Sequence, residues 1–167
     1  IPTLGALREA VDALKELNMH RKVQLIVSGG IRSGADVAKA MAMGADAVSI
    51  GSAAMMALNC NADLYVEDYK KLGTEPGYCH HCHTGKCPVG VATQDPELEK
   101  RLNPIEAGKR IKNYLTTLTL ELQTLARANG KSDVRNLEPE DLAALTVEAA
   151  AMARVPLAGT DWIPGKK

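Results

Sequence analysis

Apolar residues recur at spacings of three and four over residues 3–17, where Leu4, Leu7, Val11, Leu14 and Leu17 share one face. That period predicts an amphipathic helix, with Thr3 placed to cap it and Asn18 to stop it. The pattern then changes. Val23, Leu25, Ile26 and Val27 make a nearly continuous apolar run from Lys22 to Ser28, which suits a strand buried on both faces of a parallel sheet. Gly29-Gly30 ends it. Ser33 then predicts a helix cap, Asp36 places negative charge in the first turn, and Val37, Ala40, Met41 and Ala42 line a helix that stops at Gly44. Ala45 to Ile50 repeats the short apolar strand. Gly51-Ser52 closes that strand, and an Ala/Met-rich helix runs to about Leu58. Helix, strand, helix, strand, helix with short loops is the alternation of βαβ units.

Between Asn59 and Asp95 the regular pattern is lost. Residues 61–73 are polar, with Tyr65 and Tyr69, and leave room for one or two helical turns; Gly73 to Gly77, with Pro76, is a loop. Order returns at Asn103-Pro104. Asn103 reads as a cap, Pro104 as the first helical residue and Glu106 as the partner in a capping box. Ile111, Leu115, Leu118, Leu122 and Leu125 form the stripe of a long helix that ends at Asn129-Gly130. Glu138-Pro139 predicts a last helix through Leu142, Leu145, Val147 and Ala151. The tail from Pro156, rich in Gly, Pro and Lys, reads as loose, with Trp162 the residue able to anchor it. No internal repeat or low-complexity tract stands out.

Composition narrows the picture. At 167 residues, 46% of them hydrophobic, the chain has the length and the apolar content for one domain with its own core. Phe is absent and aromatics make up 3%, so Leu, Val, Ile, Ala and Met must build that core. The net charge of zero gives no argument for nucleic acid or an acidic membrane surface. No apolar run has transmembrane length, so no membrane partner is expected. No signal peptide opens the chain, and the expected location is cytoplasmic. Ile1 is not a natural start and the pattern begins in mid-stride, so a fragment of a longer protein is expected. Four clustered cysteines without a secretory context favour metal over disulfides.

Two stretches carry candidate chemistry. In the first, Gly29-Gly30 and Gly51-Ser52 each end a strand at a strand-to-helix turn. Glycine lets a backbone approach a ligand closely, helix-start N–H groups favour an anion, and Arg32 adds a charged donor. Taken singly, each pair reads as a tight turn. Together, followed by a short helix, they match the phosphate site built by the last loops of a (β/α)8 barrel. The stretch GGIRSGADVAKAMAMGADAVSIGS resembles the end of flavin- and nucleotide-binding barrels such as inosine monophosphate dehydrogenases and 2-hydroxyacid oxidases. That resemblance implies that the two turns hold the phosphate of FMN or of a nucleotide.

The second stretch holds Cys79, Cys82 and Cys87, with Cys60 upstream. Thiolates in a loop can converge on an iron–sulfur cluster or on zinc, with a histidine also at hand. Cys79-His80-His81-Cys82-His83 also fits a haem-attachment pattern, which would require export and leave Cys60 and Cys87 without a role. Reduced structural cysteines are the remaining reading. Cys82-His83-Thr84-Gly85-Lys86-Cys87-Pro88-Val89-Gly90-Val91-Ala92-Thr93-Gln94 resembles the CHxxxCPVGxATQ segment of glutamate synthases, in the FMN-binding synthase domain of the large subunit. The resemblance runs from about Val23 to Asn103 and more loosely through the later helices. It implies that Gly29, Gly30, Arg32, Gly51 and Ser52 bind the FMN phosphate, and that Cys60, Cys82 and Cys87 bind a [3Fe–4S] cluster. One departure stands out: better-known bacterial members have only a handful of residues between the first two of these cysteines. Here a longer insertion brings in Cys79, which could replace Cys60 or make a fourth ligand for [4Fe–4S]. His80, His81 and His83 read as solvated or adjacent to the ligands.

The expected fold is therefore α/β, the C-terminal portion of a (β/α)8 TIM-type barrel followed by an Fe–S cluster loop and two helices. Residues 1–58 would be the last βα units, 59–103 the cysteine-rich loop, 104–155 the C-terminal helices and 156–167 the tail. The function implied by the resemblance is reductive transfer of nitrogen to 2-oxoglutarate to make glutamate. Glutamine or ammonia would be the nitrogen source, with a glutaminase domain or subunit, and electrons would come from an electron-donor subunit or ferredoxin. No acid, base or substrate-binding residue can be assigned, because those contacts would lie upstream of Ile1. The variant cysteine spacing is also similar to N-methylglutamate synthase subunits. An inosine monophosphate dehydrogenase or hydroxyacid oxidase type of barrel and a zinc-stapled interaction module stay open as alternatives.

Overall fold

A helix that joins two parallel strands frames the amino-terminal part of the chain. In the computed structural model, which describes residues 2–165, strand β1 (Ile26–Ser28) pairs in parallel with β2 (Ala47–Ser49), Ile26 opposite Ala47 and Ser28 opposite Ser49. Helix α2 (Gly34–Ala42) links them and α1 (Thr3–Glu16) precedes them. This is an α/β arrangement with the expected βαβ connection. The chain divides into two units, one of residues 1–50 with 117–167 and the other of residues 51–116. The long helix α6 (Pro104–Ala128) contributes to both.

In the first unit the core forms where the amphipathic faces meet. Leu7 and Val11 of α1, Val27 of β1, Val37, Ala38, Ala40 and Ala42 of α2, and Leu118, Leu122 and Ala126 of α6 are buried. Ser33 caps α2 as expected, its hydroxyl accepting the Asp36 N–H at 3.3 Å. The backbone of α6 comes so close to Gly34 that a Cβ there would meet the Leu118 carbonyl oxygen and the Leu122 nitrogen. Glu121 of the same helix accepts the Gly34 N–H at 2.6 Å.

Several expectations need correction. Thr3 does not cap α1: it is the first helical residue, and Pro2 before it makes no side-chain bond. The Lys22–Ser28 run is not a strand buried on both faces. Only its last three residues form the strand, apart from an isolated bridge between Val23 and His20; of the three Val27 alone is buried, and Ile26 is 66% exposed. Both strands of a two-stranded sheet are edges, so one neighbour and one covering layer are all that β1 has. Glu138-Pro139 does not open the last helix. It opens a single 3₁₀ turn, Pro139–Asp141, in which Asp141 accepts the Glu138 N–H at 2.9 Å. The helix itself, α7 (Val147–Ala153), starts after Thr146, whose hydroxyl accepts the Ala149 N–H at 3.1 Å. Leu142 and Leu145 lie outside it, Leu145 being 88% exposed. Nor is the tail loose as far as it is described. Ala144 donates to the Pro156 carbonyl and accepts the Ala158 N–H, each at 2.8 Å. Within the tail the Trp162 carbonyl takes the Leu157 N–H at 3.0 Å, while the Trp162 side chain, expected as the anchor, stays half exposed. Lys166 and Lys167, at the end of that tail, lie outside the described residues.

The second unit contains short elements only, apart from its share of α6. They are α3 (Ser52–Ala57), a 3₁₀ turn at Asp63–Tyr65, α4 (Val66–Lys71), a 3₁₀ turn at Cys82–Thr84 and α5 (Pro96–Glu99). Asn103 caps α6, its side-chain oxygen taking the N–H groups of Ile105 at 3.1 Å and Glu106 at 3.2 Å. Glu106 pairs with Lys109 at 2.8 Å. The buried centre of this unit is Tyr69 with Cys87 and Val89, and Cys60, Cys79, Tyr65 and Val91 pack against it.

Candidate metal centre

Each cysteine is placed by a different local device. Cys60 follows α3 through Asn59, whose φ of +76° is left-handed. The Asn59 N–H donates to the Met56 carbonyl at 2.8 Å and the Cys60 N–H to the Met55 carbonyl at 3.1 Å, the paired closing bonds of a helix C-terminus. Cys79 ends the loop in which Thr74 donates to the Tyr78 carbonyl at 3.1 Å. Cys82 begins a 3₁₀ turn held by Thr84, whose N–H and hydroxyl both donate to the His81 carbonyl. Cys87 is buried, and its carbonyl accepts the Gly90 N–H at 3.2 Å.

The residues that follow Cys87 act as scaffold. Pro88 and Val89 are buried beside it. Gly90 has φ +79°, and a Cβ there would collide with the Leu98 carbonyl oxygen. The Thr93 hydroxyl donates to the Gly85 carbonyl and accepts the Asp95 N–H at 3.0 Å, which closes the loop on itself. Asp95 then caps α5 by accepting the N–H groups of Glu97 at 2.9 Å and Leu98 at 3.2 Å, with Pro96 at the first helical position.

All four cysteines are free thiols: Cys87 buried, Cys60 and Cys79 half-buried, Cys82 exposed. They lie close enough to feel one another. Burial pushes the Cys60 thiol up, and the charges of Cys82, Cys87 and Cys79 push it further. Tyr69, central to the set, is pushed up to about 12 by burial first and then by Cys60, Cys87 and Cys79. No group of three or more Cys, His, Asp or Glu among the described residues is drawn tightly enough to hold a single metal ion. His80 and His83 are exposed and His81 is half-buried.

Two residues that sequence reasoning left without a role complete the site. The Tyr69 hydroxyl donates to the Cys60 carbonyl at 2.5 Å. Arg101 donates to Asp68 and to the Pro88 carbonyl, both at 2.8 Å, and its guanidinium sits 4.5 Å from the centre of the Tyr65 ring. Tyr69 carried a signal, being an aromatic in a polar stretch of a chain with 3% aromatics. Arg101 carried none, standing in a mostly charged stretch, Glu97-Leu98-Glu99-Lys100-Arg101, without a motif.

The expected phosphate residues are placed as follows. Gly29 and Gly30 have φ of +112° and +75°, and no atom lies within 4 Å of a Cβ built on Gly30. The start of α2 is already occupied by carboxylates, because Asp36 accepts the Arg32 N–H at 3.1 Å and Glu121 accepts that of Gly34. An anion here would therefore rest on the glycine turn rather than on the first turn of the helix. In the second unit, Gly51 and Ser52 open α3, and Gly51 also has open space where a Cβ would sit. None of these residues lines the cavity of about 1120 Å³ in the first unit. That cavity lies at the other ends of the strands, against His20, Arg21, Gln24 and residues 41–46. Among the described residues no helix is long and apolar enough to cross a membrane.

Comparison with known proteins agrees with the motif. The family model for a conserved region in glutamate synthase matches residues 1–132. A glutamate synthase large subunit-like protein of Rhizobium meliloti is 64% identical over 166 residues, which is 99% of this chain and 38% of that protein. The archaeal glutamate synthase [NADPH] of Methanocaldococcus jannaschii is 39% identical over 137 residues, 82% of this chain and 24% of that protein. A large subunit-like protein of Bacillus subtilis is 32% identical over 78% of this chain and 22% of its own length. The chain thus spans well under half the length of the curated relatives it matches. By the extent of the family match and by these identities, the chain belongs to the glutamate synthase family.

Proposed function

We propose that this chain forms the cluster-bearing end of the FMN-binding part of a glutamate-synthase-type oxidoreductase. The observation that carries the reading is the gathering of three free thiols, Cys60, Cys79 and Cys87, around the buried Tyr69, with the exposed Cys82 near enough to push the Cys60 thiol up. Cys87 belongs to the same apolar centre as Tyr69, and Cys60 and Cys79 pack against it. A cluster of several irons takes each thiolate on its own metal, whereas a lone zinc ion needs its ligands on one centre. We take the all-thiolate donor set, in a chain of the glutamate synthase family, as an iron–sulfur site rather than a zinc staple. Cys60, Cys82 and Cys87 would hold [3Fe–4S], and Cys79 would add the fourth thiolate of [4Fe–4S].

Gly29, Gly30 and Arg32 would bind the phosphate of FMN. Their support is the pair of left-handed glycines and the open space over Gly30. Gly51 and Ser52 keep the same assignment on the motif alone. When bound, the flavin supplies hydride for the reductive amination of 2-oxoglutarate, and the cluster brings it electrons from a donor subunit or ferredoxin. This chain's own residues bind and orient: the thiols position the metal and the glycine turn admits an anion. Glutamine or ammonia, delivered by a glutaminase domain or subunit, would be the nitrogen source.

The test is iron, acid-labile sulfide and flavin content, with electron paramagnetic resonance (EPR), on the anaerobically prepared full-length protein. A signal from a three-iron centre in the oxidised state is expected if Cys60, Cys82 and Cys87 are the ligands. A cluster silent when oxidised and visible when reduced would bring in Cys79. Cys82→Ala and Cys87→Ala should each lose iron and sulfide together. Zinc without sulfide in the unaltered protein would overturn the assignment.

A further inference from the structure

Between Cys60 and Cys82 the chain forms a 3₁₀ turn, Asp63–Tyr65, and then α4. We propose that α4 is a jig for the thiols. It holds Cys60 through Tyr69 and the Cys87 turn through Asp68 and Arg101, so that Tyr69 and Arg101 are positioning residues for the cluster. The proposal rests on the cluster reading above.

Adjacent residues on a helix point about 100° apart, so Asp68 and Tyr69 serve different neighbours. Tyr69 turns inward, is 1% exposed and packs against Cys60, Cys79 and Cys87. Its hydroxyl fixes the carbonyl of Cys60 itself. Asp68 faces the rim and pairs with Arg101 at 2.8 Å and with Lys71 at 2.8 Å. Those two cations hold the Asp68 carboxyl below its ordinary range, Lys71 first and Arg101 second. Arg101 passes the hold on to the Pro88 carbonyl, one residue beyond Cys87. Its flat fork meets two acceptors while it lies over Tyr65. A lysine ammonium, a point charge on a flexible stem, does not reproduce that geometry. Both outer cysteines thus stand on backbone fastened to adjacent residues of one short helix. Fixing the backbone beneath a ligand removes freedom that metal binding would otherwise have to remove.

A purely structural role for α4 would be to fill space, with its bonds only stabilising the helix. The Glu67–Lys70 pair, at 2.7 Å on the same helix, touches no cysteine and separates the two cases. In the full-length protein carrying its cluster, Tyr69→Phe and Arg101→Lys are compared with Glu67→Gln and the unaltered protein. The readouts are iron and sulfide per chain, EPR line shape and the rate of iron loss to a chelator. Tyr69→Phe and Arg101→Lys should release iron roughly five- to tenfold faster, the loss of one well-made bond each, and broaden the EPR signal. Glu67→Gln should match the unaltered protein. Unchanged release and line shape in both thiol-side variants would overturn the proposal, as would an equal effect of Glu67→Gln. If Arg101→Lys does not fold, Asp68→Asn tests the same arm while leaving Arg101 its Pro88 carbonyl. An unaltered protein without iron and sulfide would instead remove the cluster reading, a result distinct from a loaded protein whose variants behave normally.

Discussion

Gly90 meets a demand that other residue types cannot. Its φ of +79° lies in the left-handed region, and a Cβ would collide with the Leu98 carbonyl oxygen and come within 3.2 Å of the Leu102 nitrogen. Both obstacles are backbone and cannot swing aside. Gly85, in the same loop, has φ +72° but open space around the missing Cβ. The pair therefore separates strain from collision. Gly85→Ala should cost about 1–2 kcal/mol, the price of a left-handed alanine. Gly90→Ala should cost a further 1–3 kcal/mol for overpacking. Urea denaturation followed by circular dichroism would show the two, and equal losses would mean that the chain at Leu98 gives way. The same collision explains the glycine of the Cys-Pro-Val-Gly sequence. It lets α5 lie directly on the loop that carries Cys87, whatever the metal.

At the scale of elements, α2 offers a test by pH. Burial alone would raise the Asp36 carboxyl. The hydrogen bond from Lys39, the Arg32 N–H, the Lys39 charge and the Ser33 hydroxyl outweigh it, and the group lies below its ordinary 3.8. The unfolded chain thus binds the proton more readily. The stabilisation is complete above about pH 5 and is lost as pH falls through the folded value. Asp36→Asn should lower stability at neutral pH, and its deficit should shrink as denaturation is repeated toward about pH 3. A deficit independent of pH would mean that Asp36 acts by shape alone. This cap was legible from Ser33 and Asp36 because its partners are local. The amphipathic faces of α1, α2 and α6 were largely legible for the same reason, each carrying its own period, but Leu17 lies 70% exposed beyond the end of α1 and Leu115 of α6 is 44% exposed. The last helix was misread because the chain around Ala144 is claimed by Pro156 and Ala158, a pairing that no local pattern announces. Likewise the cysteine spacing marked Cys60, Cys79, Cys82 and Cys87, whereas Tyr69 and Arg101 act across loops on main-chain carbonyls, which every residue has.

For the molecule as a whole, the exposed strand is the feature with a physical consequence. Among the described residues β1 and β2 pair only with each other, so each presents an unpaired edge. The apolar run that reads as a doubly buried strand leaves Ile26 66% and Val23 42% exposed. Backbone donors and acceptors in a row beside apolar side chains form a template for pairing with another strand. The 167-residue polypeptide on its own should therefore self-associate as its concentration rises, and sedimentation velocity would show it. Burying one isoleucine is worth about 1.5–3 kcal/mol, so Ile26→Lys should weaken that association about tenfold or more. A polypeptide of the relatives' greater length, if it supplies neighbouring strands, should stay dispersed, with Ile26→Lys then costing folding stability instead. A 167-residue chain that stays monomeric at high concentration would show that three-residue strands are too short to template a partner. The sequence pattern of a buried strand would then be satisfied only where further strands flank β1.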